Sequence, residues 1–201
     1  MSGEDREYSP KRFAVSSVTC PACHLKLDRE AKWCESCGFS GAKSMEIFGS
    51  SPPPFLDILD VADLWGEKGQ AKIKAEVKAF GKRFPQVRWR ICAVALGSEV
   101  NLPLFGFWLM NASPLMQGES EEDREWAILL LVDTNSGRAS VTTGYRAEVW
   151  LSDDMWGAAL AEIAEPFRNG LPDKAVVFFL RKARGLFESA WKRSNKHLSR
   201  K

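Results

Sequence analysis

Cys20 and Cys23 form one C-x-x-C pair and Cys34 and Cys37 form a second, with ten residues between the pairs. A segment this short buries too little apolar surface to fold by itself, so a cross-link or a metal must hold it. Clustered cysteines in a reducing compartment point to metal before disulfide. Two tight knuckles supply the four soft thiolates that tetrahedral Zn²⁺ takes at about 2.3 Å per sulfur. Gly38 lets the backbone turn after the second pair, and Lys26, Arg29 and Lys32 partly offset the negative charge of a zinc–thiolate centre. A redox C-x-x-C pair would open a helix inside a βαβ unit, a context missing around these residues. With four sulfurs the centre is closed, which fits structural zinc and leaves no open position for catalysis. His24 adjoins Cys23 but is not needed as a ligand.

The rest of the chain has the composition of an ordinary globular protein. Of 201 residues, 45% are apolar and 27% charged, enough for a sizeable core, and a net charge of +2 is too small to imply nucleic acid by itself. The N-terminus MSGEDREYSPKRF carries early acids and no apolar signal region, and no stretch is apolar enough for a membrane span, so a cytoplasmic protein is expected. The composition divides the chain into a disordered N-terminus over 1–17, a zinc ribbon over 18–40, a Gly/Ser/Pro linker over 41–54, a main domain over 55–196 and a basic tail over 197–201.

Within the main domain, Phe55, Ile58, Leu59, Ala62 and Trp65 follow helical spacing, and Ile73, Val77, Phe80 and Phe84 give a second helical stripe stopped by Pro85. VRWRICAVAL reads as a buried strand, with Cys92 as a core thiol. NLPLFGFWLMNASPL is a short helix or structured loop, and the run Glu119 to Glu125 a solvated loop. AILLLVD, TNSG and RASVTTG make an antiparallel hairpin. Ser152 caps a helix that Asn169-Gly170 ends, and one long helix follows from Pro172. This order of elements predicts a sheet covered by helices on both sides, an α/β/α sandwich.

Candidate hard-cation ligands are the carboxylates of Asp133, at the end of the central strand, and of Asp153 and Asp154, at a helix start. Oxygen ligands there suit Ca²⁺ or Mg²⁺, because sites in α/β sheets gather at strand ends and helix N-termini. The same positions also suit a turn residue and two helix-start acids. The histidines are His24 and His197 alone, so no Ser-His-Asp or Cys-His pair can be assembled in the main domain. A hydrolase here would need metal-activated water.

The ordered pattern ILLLVDTNSGR, then VTTGYRAEVWLSDD, then PFRNG resembles the TPM domain family, also called the thylakoid-lumen phosphatase-like family. Gly144, Tyr145, Glu148, Leu151 and Asp153 match its motif, while Arg146 stands where a second glycine is often found and Trp126-Ala127 replaces a glycine before the central strand. The resemblance implies a TPM-like three-layer α/β/α sandwich and adds Glu148 to the candidate cation ligands. It also implies one of two activities: assembly or repair of protein complexes, or a divalent-metal-dependent acid phosphatase. The expected function is a binding or assembly module with a protein partner. A membrane surface or nucleic acid contacted by the basic C-terminal helix is the less favoured partner, because that helix also reads as amphipathic packing.

Overall fold

Residues 127–133, AILLLVD, are buried at every position, as a strand covered on both faces must be. The computed structural model describes residues 18–27 and 31–198, and builds the remaining architecture around this strand. The elements run β1 (Val18–Thr19), β2 (Lys26–Leu27), α1 (Gly41–Phe48), β3 (Ile58–Asp60), α2 (Gly66–Arg83), β4 (Arg88–Val94), α3 (Leu102–Ala112), α4 (Glu121–Glu125), β5 (Ala127–Asp133), β6 (Arg138–Thr143), α5 (Tyr145–Glu148), α6 (Asp153–Arg168) and α7 (Pro172–Leu198). The expected disordered N-terminus at 1–17 lies outside the described residues, as do Asp28 to Glu30 and most of the basic tail.

The main sheet has the order β3-β4-β5-β6. Strands β3, β4 and β5 are parallel, with Ile91 opposite Ile58 on one side and Leu130 on the other. Strand β6 returns antiparallel through the expected hairpin, pairing Leu130 with Val141. Alternate side chains feed two cores. Trp89, Ile91, Ile128 and Leu130 join residues of α2, α6 and α7 on one face. Cys92, Val94, Leu129 and Leu131 join α3 and the partly buried Met45 and Phe48 of α1 on the other. The result is the expected three-layer α/β/α sandwich. Phe80, Phe179 and Phe187 are fully enclosed, each burial stabilising by about 1.5–3 kcal/mol. Cys92 is 2% exposed, and burial pushes its thiol up to about 12, so it is a core thiol.

Four local expectations change. The helical spacing at Phe55–Trp65 does not produce a helix; Ile58–Asp60 is an edge strand paired with Ile91–Ala93. Its apolar residues serve opposite faces of the sheet, Phe55 in the α1/α3 core and Trp65 in the α2/α6/α7 core, so no single stripe exists. The Asp60 carboxylate then closes the next turn by accepting from the amides of Leu64 (2.8 Å) and Trp65 (3.0 Å).

The segment read as a linker contains α1, capped by Ser40 Oγ accepting from the Lys43 amide at 3.2 Å. Phe48 packs on Phe105 and Trp108, and Trp108 Nε1 donates to Gly49 O at 2.8 Å. Only residues 49–57 are irregular, so the ribbon is joined to the domain by a packed helix.

The acidic run 119–125 is a capped helical turn. Ser120 and Asp123 form a reciprocal capping box, and Arg88, Arg90 and Arg146 pair with its carboxylates. Ser152 stands at the N-cap of α6, but its side chain makes no capping hydrogen bond.

Candidate metal centre and the cleft beside it

Both knuckles have the same backbone. Cys20 O accepts from the His24 amide at 2.9 Å while the Cys20 amide donates to Leu25 O at 2.8 Å. Cys34 O accepts from the Gly38 amide at 2.7 Å while the Cys34 amide donates to Phe39 O at 2.8 Å. Each turn needs a left-handed residue at its fifth position, and there His24 has φ 61° and Gly38 φ 71°. Antiparallel pairing of β1 with β2 closes the base of the first knuckle, and a bridge from Trp33 to Ser40 closes the base of the second.

All four cysteines are free thiols, and their sulfurs lie within 4.8 Å of one another. Cys20 Sγ is 3.7 Å from Cys37 Sγ, and Cys23 Sγ is 3.6 Å from Cys34 Sγ. A tetrahedron with metal–sulfur bonds of about 2.3 Å has edges of about 3.8 Å, which these two pairs match. Backbone hydrogen bonds from Cys37, and then Ser36, outweigh burial and hold the Cys34 thiol down to about 7. Burial instead pushes Cys20 up to about 12, so a metal must displace a proton there and acid favours release. Lys26 and Lys32 belong to the intervening segment, whereas Arg29 lies outside the described residues. His24 is the left-handed residue of its knuckle and is not part of the four-ligand group. His24→Gly is therefore expected to retain one zinc per chain, with a melting temperature equal to or above the parent's, as checked by metal analysis and calorimetry.

The ribbon docks on the sandwich. Its small core of Cys20, Cys34 and Phe39, with Ala22, Cys23 and Leu27 around it, continues into Leu104 and Phe107 of α3. The Phe39 and Phe107 rings meet edge to face at 5.4 Å. The sequence did offer a signal for this contact: α3 is apolar around its circumference, as a helix enclosed on several sides must be.

The candidate carboxylates do not gather. Asp133 is fully buried and accepts from the amides of Leu96 (3.0 Å) and Asn135 (3.2 Å) and from Ser136 Oγ, with Arg138 at 4.0 Å. Burial opposes its charge, but these donors outweigh burial and hold the carboxyl below its usual range. Glu148 and Asp153 lie beyond the opposite end of the hairpin, where Thr143 pairs with Ile128. That is roughly 17 Å along the strand from Asp133. Asp154 is an exposed acid in the first turn of α6. Asp133 thus fills the turn role, holding the β4 and β5 ends together.

Acid should reveal that role. A depressed folded pKa contributes stability above the unfolded value of about 3.9 that is lost as pH falls through the folded value. Asp123 adds to it, held at about 2 by the Ser120 amide and hydroxyl and by Arg88. Denaturant midpoints are expected to be flat near neutrality and to fall below about pH 4, with a shallower fall in Asp133→Asn.

Glu148 and Asp153 share a cleft of about 520 Å³ between the ribbon and the edge of the sheet. Lys32, Trp33 and Phe39 line it from the ribbon; Phe107 and Met110 from α3; Val141 to Tyr145 from β6 and the turn after it. Leu151 and Trp156 close the far side. Glu148 is half-buried, and that burial, then Asp153 beside it, raises its carboxyl above the usual range. The turn carrying it depends on Gly144, where a Cβ would lie 2.4 Å from Arg124 O and 2.5 Å from Glu125 O.

No family model matches the chain, and no curated protein matches it. Among solved structures it is similar to the N-terminal domain of a protein from P. gingivalis, at 15% identity over 73% of this chain and 88% of that one, with a TM-score of 0.50. It is also similar to the N-terminal domain of the cg2496 protein from Corynebacterium glutamicum (9% identity, 64% and 78% covered, TM-score 0.49). The BA42 protein from the psychrophilic bacterium Bizionia argentinensis is a third (17% identity, 60% and 81% covered, TM-score 0.42). At these identities the likeness to the first shows the fold alone. The chain is an α/β domain whose four close cysteines can bind a metal ion such as zinc. No helix among the described residues is long and apolar enough to cross a membrane.

Proposed function

We propose that the chain is a non-enzymatic binding or assembly module, in which a closed structural zinc ribbon is built onto a TPM-type sandwich to engage a protein partner. One observation carries this reading: the ribbon core runs into α3, so the ribbon and the domain present one continuous surface with a cleft between them. A four-sulfur centre offers no position for substrate, so its contribution is to shape that surface. Four thiols kept for metal suit a reducing, cytoplasmic compartment. Lipid or nucleic-acid binding through α7 is disfavoured, because Arg181 and Arg184 are taken up by the buried Glu76 and Lys182 pairs with Glu162.

A second reading, a divalent-metal-dependent phosphatase of the TPM type, draws on the adjacency of Glu148 and Asp153. Glu121 and Glu125 line the same cleft, but among the described residues no three carboxylates come close enough together to hold one ion, and Mg²⁺ or Ca²⁺ takes six or more oxygens. The readings separate in one assay on reduced, purified protein. The binding module contains one zinc per chain and leaves a generic phosphate ester intact with added Mg²⁺ or Ca²⁺. Metal-dependent hydrolysis that disappears in Asp153→Asn would overturn it.

A further inference from the structure

We propose that the cleft between the ribbon and β6 holds an extended peptide segment of a partner protein, which adds a strand along β6 and sets an arginine or lysine side chain against Glu148 and Asp153. This rests on the binding-module reading and names the partner chemistry of that surface.

Three features of the cleft agree on this occupant. The first is the sheet edge. β6 is the last strand, and no strand among the described residues pairs with its outer side. An edge in a groove offers a row of amides and carbonyls that only another extended backbone can satisfy throughout. The residues entering the cleft, Val141 to Thr143, are half-buried rather than guarded by lysine or proline.

The second feature is the apolar wall. Phe107, Met110, Leu151 and Trp156 face the same space, and Trp33 stands at its mouth 58% exposed. Phe107 and Met110 belong to the α3 side of the sheet and Leu151 and Trp156 to the α6/α7 side, so each of the two alternating sets of side chains on an added strand meets apolar residues.

The third feature is charge. Glu148 forms no hydrogen bond or ion pair through its carboxylate with any described residue, is half-buried, and has Asp153 as its charged neighbour. An uncompensated carboxylate beside another is unfavourable until a cation arrives. Glu121 and Glu125 also line the cleft, which makes a phosphate or other anion a poor occupant despite Lys32 and Arg124. A guanidinium or ammonium on an extended peptide answers all three features at once.

The ribbon supplies one wall, so occupancy depends on zinc although the peptide does not touch the metal. Titrating the zinc-loaded full chain with acetyl-Thr-Val-Arg-Val-Thr-amide, and with its Gln and Glu counterparts, tests this by ¹⁵N–¹H NMR. The Arg peptide is expected to shift the amides of Thr142, Thr143 and Glu148 and to bind at least about ten-fold more tightly than the Gln peptide. Glu148→Gln with Asp153→Asn removes that advantage, and chelating zinc removes binding. N-methylation of the peptide on the alternation facing β6 abolishes binding, while methylation on the other alternation does not. Equal binding of Arg and Gln peptides, or shifts confined to other surfaces, overturns the proposal. The same samples are assayed for Mg²⁺- or Ca²⁺-dependent ester hydrolysis. No peptide binding together with hydrolysis sinks the binding-module reading as well; no peptide binding without hydrolysis sinks only this assignment of the cleft.

Discussion

Cys34→Ser abolishes stoichiometric zinc binding and unfolds the ribbon while the sandwich stays folded. Cys34 is 1% exposed and its sulfur pairs across the centre with Cys23 at 3.6 Å, so a hydroxyl there removes a ligand that nothing nearby replaces. The apparent free energy of structural zinc, about 10–16 kcal/mol in isolated zinc-finger peptides, is folding energy for a segment without a core of its own. Losing the ribbon uncovers Leu104 and Phe107 on α3, which costs the sandwich roughly 2–4 kcal/mol and about 5–15 °C of melting temperature. Hydrophobic-dye binding rises as that face becomes exposed. Cys92→Ala is the control: it disturbs a buried strand position but leaves zinc content at one per chain.

Gly144→Ala lowers the melting temperature by a similar amount without touching the metal. The added Cβ would sit 2.4 Å from Arg124 O and 2.5 Å from Glu125 O, well inside contact distance, and both obstacles are backbone. The Gly144 amide is also fixed to Ala127 O at 2.7 Å, so the turn cannot simply move away from α4. Separating α4 from α5 costs about 2–4 kcal/mol. It also shifts Glu148, four residues on, so peptide affinity at the cleft falls along with stability. The left-handed Gly137 in the hairpin turn provides contrast: a Cβ there meets nothing within 4 Å, and Ala costs only the backbone strain of φ 64°.

These two sites show which parts of the molecule were legible in the sequence. The cysteine quartet is local chemistry, with two short turns of the same backbone, and its spacing alone predicted four sulfurs close enough together to bind a metal ion. The hairpin was legible for the same reason: a continuous apolar arm, a polar turn and a return strand are adjacent in the chain. β3 was not, because Ile58–Asp60 becomes a strand only through pairing with Ile91–Ala93, and helical spacing across its flanks arose from residues bound for different cores. Asp133 misled in a related way. Its position at a strand end suits a cation ligand, but the donor that helps commit it to structure is the Leu96 amide, which the sequence could not place nearby. The docking of the ribbon depended on α1, hidden in a segment whose glycines, serines and prolines resemble a linker.

The cysteine ribbon is an integral wall of the domain rather than a bead on a tether. Removing zinc from the reduced, ¹⁵N-labelled full chain, and comparing ¹⁵N–¹H spectra, tests it most directly. The docked arrangement requires amide shifts beyond the ribbon, at Leu104, Phe107 and Asn111 on α3 and at Thr142 to Gly144 along the cleft, all restored when zinc is returned. Changes confined to the ribbon, with α3 and the β6 edge unaffected, would contradict it.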